Sequence, residues 1–348
     1  MNLFSRSDHK GKGNRLFSAN SAKNLLVHLK IFIGLTLLFS IAGGSSVGLA
    51  QGEDGYIEEV HALDTNDAGL LNPAGLAYSF EANLLYIIRA SSSSPAVITV
   101  MTPLEEALGS VTVATSGVDP INIAFDNQAR RLLLLDSAAT ELIAIETGPD
   151  GYLDSAPAAT TRFEVGALAL QHPGGMTVDP GNGVLFILDS RTSEIVRVEP
   201  DARGGLDGTT AAKEGRVSRI DLQVSGPVQG RGLALNPDNE HLYMLDEGQK
   251  KIVELSQTGQ LMATLDMAPF DLGDPQGLVF GLSGDLTDDP SKANLYVADT
   301  GLKPGPGGEF QACRPPPMQR SAQKNVGSGP VVPLGRVLEY SLTAILAN

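Results

Sequence analysis

One spacing recurs along this chain and limits what it can fold into. Five segments, NPAGLAY (72–78), DPINIAF (119–125), HPGGMTV (172–178), QGRGLAL (229–235) and DPQGLVF (274–280), each lead from a turn-forming residue into a short apolar strand. Aligned, they place Gly75, Asn122, Gly175, Gly232 and Gly277 in one column. The next apolar run ends 14 residues later in the first four repeats, at Arg89, Asp136, Asp189 and Asp246, and 22 residues later in the fifth, at Asp299. A fixed internal period marks an architecture built by stacking one supersecondary unit. Four glycines and one asparagine in a column predict either a positive φ or the close approach of another backbone.

The second strands (84–88, 132–135, 184–188, 242–245 and 295–298) are continuous apolar runs, so both of their faces must be covered. Third strands fall at 97–100, 142–145, 195–198, 252–255 and 337–340, and fourth strands at 111–114, 161–165, 217–222 and 261–265. Too little chain follows residue 340 for a fourth strand in the fifth repeat. The segment YIEEV (56–60) is predicted to complete that sheet, closing the ring and removing its open edges. The expected fold is therefore all-β: a β-propeller of four-stranded antiparallel blades with five readable repeats, a degenerate sixth being the alternative.

The apolar strands ending in Asp, as in LYVADTG (295–301) and LFILDSRTSEIVRV (185–198), resemble the NHL-repeat type of propeller. That group lies near the six-bladed TolB-like and SMP-30/gluconolactonase-like propellers. The resemblance spans nearly all of residues 55–342 and implies architecture. For activity it implies only a range, from binding modules and scaffolds to lactonases, lyases and phytases. Five readable repeats in place of six is a departure from it.

Residues 1–50 read as a targeting segment. Arg6, Lys10, Lys12, Arg15, Lys23 and Lys30 precede the apolar run 31–41, and small residues lead to Gly48-Leu49-Ala50. This is the pattern of a signal peptide, with an uncleaved anchor over 31–50 as the alternative. The expectation is a single exported domain, 51–348, periplasmic or extracellular, touching a membrane only through that segment. Without residues 1–50, which hold six Lys/Arg and one Asp, 19 basic and 39 acidic residues remain, a formal charge of −20. Such a surface repels nucleic acid. Cys313 is the single cysteine, so no intrachain disulfide contributes.

Function is sought where the repeats differ. The row Asp136, Asp189, Asp246 and Asp299 reads as scaffold, carboxylates accepting backbone N–H bonds in the turns between second and third strands. Arg89 takes that place in the first repeat and is a candidate anion contact. The residues ahead of and within the first strands differ between repeats: Asn72, Asp119, His172, Arg231, Asp274 and Gln276 are the candidate binding set on the face expected to open the central channel. In the fifth repeat an insertion, GDLTDDP (284–290), places Asp285, Asp288 and Asp289 close together. They are candidate Ca²⁺ ligands, or else a solvated acidic loop of Asx turns. The connections 148–156 and 201–209 are lengthened on the same side, and read as polar loops. The Gly/Pro-rich basic stretch 301–335 is expected to be mobile.

No first strand begins with Glu, one histidine lies on the channel side, and no nucleophile elbow, zinc-ligand spacing or phosphate loop is present. The expected function is a non-catalytic module, with calcium as a candidate stabiliser, binding a small molecule, a glycan or a protein partner. The alternative is a propeller hydrolase or lyase, lactonase-like or phytase-like, with its site in the channel.

Overall fold

The computed structural model describes residues 56–343 except 64, 66–69, 71, 90–95, 114–117, 137, 149, 154–159, 225–229, 271, 290 and 302–334. The targeting segment 1–50, Cys313 and nearly all of the stretch expected to be mobile lie outside the described residues. So does the side chain of Asp119.

Strand β1 (Tyr56–Leu63) precedes five repeats. The first blade is β2 (Pro73–Ser79), β3 (Leu84–Arg89), β4 (Ala96–Met101) and β5 (Ala107–Val113). The second is β6 (Val118–Asp126), β7 (Arg131–Asp136), β8 (Glu141–Glu146) and β9 (Thr160–Glu164). In the third, β10 (Pro173–Val178), β11 (Leu185–Asp189) and β12 (Glu194–Val198) are followed by a short helix, α1 (Gly208–Lys213), and then β13 (Val217–Asp221). The fourth is β14 (Gly230–Leu235), β15 (Leu242–Asp246), β16 (Lys251–Leu255) and β17 (Leu261–Asp266). The fifth takes β18 (Pro275–Leu282), β19 (Ala293–Asp299) and β20 (Arg336–Thr343) from the C-terminal end and β1 as its outermost strand. Each sheet is antiparallel with its strands in sequential order from the axis outward, here called a to d. The first strands neighbour one another around the ring, β2 to β6, β10, β14, β18 and back to β2. This is a five-bladed propeller, and no sixth blade is formed by the described residues.

Burial follows from the double-sided apolar pattern. Five clusters fill the five gaps between neighbouring blades. Tyr86 and Ile88 of the first blade meet Phe125 and Leu134 of the second, for example, while Ile87 and Leu85 on the opposite face meet Tyr296 and Ala298 of the fifth. Alternate residues of one strand thus enter two different cores, which is why the b strands are continuously apolar over 84–88, 132–135, 185–188, 242–245 and 295–298, up to their terminal Asp or Arg.

The ring closes where β1 pairs with β20, from Tyr56↔Thr343 to Leu63↔Val337. Polar contacts tie this seam to its surroundings. His61 of β1 sits 2.8 Å from Glu105 in the first blade. Glu339 of β20, fully buried, accepts from Asn294 Nδ2 at 2.8 Å and from the Gly284 N–H at 3.1 Å.

The glycine column marks contact between backbones of adjacent blades. A Cβ on Gly277 would stand 2.3 Å from the Ala74 carbonyl, and one on Gly175 2.6 Å from Leu233 N. Gly232 combines such an approach, 2.7 Å from the Gln276 carbonyl, with a φ of 59°. Of the two readings of the column, close approach is the general one, and positive φ applies at Gly232. In the second blade Asn122 takes the place of glycine; it is fully buried and donates from Nδ2 to the Pro173 carbonyl of the third blade at 3.1 Å. Every a strand also shifts register against its b strand at this level, as between Arg231 and Leu233. Such bulges bend the strands so that five of them converge.

The lengthened loop 201–209 departs from the polar surface loop expected of it. Asp207 caps α1, accepting from Thr210 N at 2.7 Å, and Leu206 and Ala211 are buried in the core between the second and third blades. A hydrophobic pair within an otherwise polar stretch was the signal for this docked turn.

The column yields a stability prediction. Gly277→Ala should cost about 1–3 kcal/mol, the usual range for overpacking against an unyielding neighbour. Gly166→Ala, where a Cβ would meet nothing within 4 Å, should change stability by no more than about 0.5 kcal/mol. Urea denaturation of the two variants checks the difference.

Candidate functional site

The row of aspartates acts as scaffold, and reaches further than the b–c turns. Asp136 accepts from the backbone N–H groups of Thr140 (2.7 Å) and Glu141 (2.6 Å) in its own b–c turn. Asp189 accepts from Gln171 N (2.7 Å), His172 N (3.1 Å) and Arg191 N (3.2 Å). Asp299 accepts from Gly273 N (2.9 Å), Asp274 N (2.7 Å) and Gly301 N (3.1 Å). In the third and fifth blades the carboxylate therefore also holds the segment entering the a strand. Asp189 and Asp299, buried and bonded to several backbone donors, orient the residues ahead of those two a strands.

Those residues form a contiguous polar arc on the face carrying the d–a and b–c connections. It starts in the third blade, where His172 Nδ1 lies 2.8 Å from Ser190 Oγ. Ser190 Oγ also lies 3.0 Å from the His172 carbonyl. When the hydroxyl proton goes to that carbonyl, Nδ1 carries the imidazole proton and donates it to Oγ. A Cβ on Gly174, beside Ser190, would touch the Gly230 carbonyl at 2.6 Å, which brings the arc to Arg231 in the fourth blade. Arg231 donates from Nη1 to Gln276 Oε1 at 2.5 Å, pairs through Nε with Glu247 Oε2 at 3.1 Å, and approaches Asp274 Oδ1 at 4.0 Å. Thr300 Oγ1 donates to Asp274 Oδ2 at 3.1 Å. A Cβ on Gly335 would stand 2.7 Å from the Thr300 carbonyl and 2.8 Å from Asn72 Cα, so the first blade joins the arc. Asn72 has a φ of 59°, and Pro73 beside it pairs with Arg89.

Of the sequence-predicted set, Arg231, Asp274 and Gln276 make direct contact, and His172, Asn72 and Arg89 lie along the same arc. The side chain of Asp119 is outside the described residues, although its backbone lies in β6 on this face. Ser190, Arg191, Glu247 and Thr300 went unidentified from sequence. Each follows an aspartate of the capping row by one or two positions, a signal available in the alignment of repeats.

Asp274 is 4% exposed, and burial raises its carboxyl pKa above the usual value, opposed by Thr300 and Arg231.

The cavity at the ring axis lies on the other side of the glycine column. It is lined by the second halves of the a strands, among them Leu76, Ile123, Met176, Leu233 and Leu278, with Phe80, Asn127 and Pro180 at the end toward the a–b turns. Its free interior takes about one or two water molecules. None of the candidate binding residues lines this cavity.

In the fifth-blade insertion Asp285 and Asp289 each close their own turn. Asp285 Oδ1 accepts from Thr287 N and Oγ1, both at 2.8 Å, and Asp289 Oδ1 accepts from Ser291 N (3.0 Å) and Oγ (2.7 Å). Asp288 Oδ2 accepts from Ser283 Oγ at 2.8 Å. The bonds from Thr287 and Ser291 hold the Asp285 and Asp289 carboxyls below their usual pKa. Among the described residues no group of three or more His, Cys, Asp or Glu is placed to hold a metal ion. The geometry is that of two Asx-type turns, at Asp285 and Asp289, with Asp288 turned toward Ser283.

No protein-family model matches this chain, and no curated protein matches it. Solved structures similar to it include a nidogen/laminin complex, at 18% identity over 65% of this chain and 72% of that chain with a TM-score of 0.41. A luciferin-regenerating enzyme matches at 13% over 84% and 96%, TM-score 0.42. Virginiamycin B lyase from Staphylococcus aureus matches at 12% over 70% and 82%, TM-score 0.36. The neighbours are NHL/YVTN-like propellers, some of them binding modules and some enzymes. At these values the likeness assigns neither a family nor an activity.

Two outcomes are expected. A buried carboxyl with a raised pKa contributes stability that is complete below its unfolded pKa and is lost as pH rises through the folded one. Removing that titration in Asp274→Asn should therefore shift the stability difference between variant and wild type toward the variant as pH rises from about 4 to neutrality. Chemical denaturation across that range measures the trend. Millimolar Ca²⁺ in place of chelator should leave the Tm unchanged. A rise abolished by Asp288→Ala would establish calcium binding at the insertion.

Proposed function

We propose that this protein is an exported, non-catalytic binding module whose ligand or partner docks on the face bearing the d–a and b–c connections. The observation that carries the reading is the polar arc from His172 through Arg231 to Asn72. It joins four blades with a different residue from each, as recognition of an asymmetric ligand needs. The narrowness of the axial well supports it further, because an organic ligand needs far more room. Export rests on the basic and apolar pattern of residues 1–50.

The hydrolase or lyase reading has weaker support. Asp189 and Asp299 are committed to backbone donors, and His172 is engaged with Ser190, so these groups of the arc form no carboxylate–histidine side-chain pair among the described residues.

A thermal-shift screen of small molecules, glycans and peptides tests the proposal. Hits should weaken about tenfold or more, about 1.4 kcal/mol, in Arg231→Ala and less in His172→Ala, with no turnover. Product formation that stops in either variant would overturn the non-catalytic reading.

A further inference from the structure

The exposed charge of the arc has a sign, and it opposes that of the chain. Arg89 and Arg191 are exposed, and neither has an ion-pair partner among the described residues. Seven other arginines, such as Arg130 with Glu81 and Arg162 with Glu141, have carboxylates within ion-pair range, while Arg203, on the 201–209 loop, is exposed and has no ion pair among the described residues. Arg231 is 29% exposed, and His172 is exposed. The acids among them are withdrawn from solvent: Asp189, Asp299 and Asp274 are buried, the first two saturated by backbone N–H groups. Glu247, at 35% exposure, is the carboxylate that a solute on this part of the arc meets.

We infer that the arc recognises an anionic group, a carboxylate or a phosphate, which takes the place of Glu247 on Arg231. This rests on the docking face proposed above and adds the chemical class of what docks there. Glu247 acts as an internal stand-in. It pairs with Nε at 3.1 Å, while Gln276 holds Nη1 and so keeps the guanidinium plane fixed when Glu247 swings away. A planar guanidinium held from one side presents its remaining donors as a fork suited to a carboxylate or a phosphate. Arg191 extends the cationic edge into the third blade, and Arg89 into the first. An anion approaching a protein of formal charge −15 is repelled at long range. Binding should therefore strengthen, up to a point, as moderate salt screens the net charge, and weaken at higher salt as the local contacts are screened.

The test uses four probes on the full mature chain: inorganic phosphate, succinate, galacturonate and, as the neutral counterpart of the last, galactose. Binding is followed by isothermal titration and amide chemical shifts. Phosphate or a carboxylate should bind, lose about tenfold in affinity in Arg231→Gln and in the double variant Arg89→Gln/Arg191→Gln, and gain severalfold in Glu247→Gln, which releases Arg231. The gain on removing Glu247 separates the stand-in role from a merely structural one. It also keeps the test decisive if Arg231→Gln folds poorly. Phosphate binding without galacturonate or succinate binding assigns a phosphate ligand, and the reverse a carboxylate. Anions that bind neither wild type nor Glu247→Gln, or that bind equally well in all variants, overturn the inference. Galactose binding that depends on Arg231, with no anion binding, overturns the anionic class while leaving the docking face standing; if no probe responds to any variant and the broader screen also finds no Arg231-dependent ligand, both fall.

Discussion

Everything in this ring depends on five backbones meeting at one level. At the glycine column a carbonyl of one blade stands where the next blade's Cβ would be, 2.3 Å away at Gly277 and 2.6 Å at Gly175. A side chain there would push neighbouring blades apart, and the five apolar cores between blades would open with them. The absence of a Cβ therefore sets the radius of the ring. It also sets how much space remains at the axis, which is room for a water or two. A larger ring leaves a channel in which ligands can sit.

The same geometry explains why the capping aspartates and the polar arc belong together. Chain entering each a strand must arrive at a fixed angle to reach the column. In the third and fifth blades the carboxylate at the end of the b strand holds that chain by two backbone N–H bonds. Scaffold residues thus aim the variable ones. The carboxylates that do so are consumed in the task, leaving arginines as the exposed charge of the arc in a protein that is otherwise acidic.

Most of the fold was legible in the sequence because a propeller repeats its constraints. Constant spacing located all five a strands, the continuous apolar runs located the b strands, and YIEEV foretold the closing strand β1, which extends to Leu63. The site was legible in part. Arg231, Asp274 and Gln276 stood out because they break the repeat. Their partners Glu247 and Thr300 did not, because each contact joins the start of an a strand to the b–c turn of the same blade, a pairing that shows only when those two connections are laid side by side. The column was seen as a backbone requirement, but its consequence, a waist dividing the well from the arc, depends on distances between blades. The helix α1 was missed because Leu206 and Ala211 are too few to show a period.

An experimentally determined crystal structure measures the central claim directly, through the separation of neighbouring a strands at the glycine column. The account predicts five blades, with the Ala74 carbonyl in backbone contact with Gly277, the Gln276 carbonyl in backbone contact with Gly232, and no passage along the axis wider than a water molecule. A sixth blade formed by residues 302–334, or a column whose strands stand far enough apart to admit side chains, would contradict it.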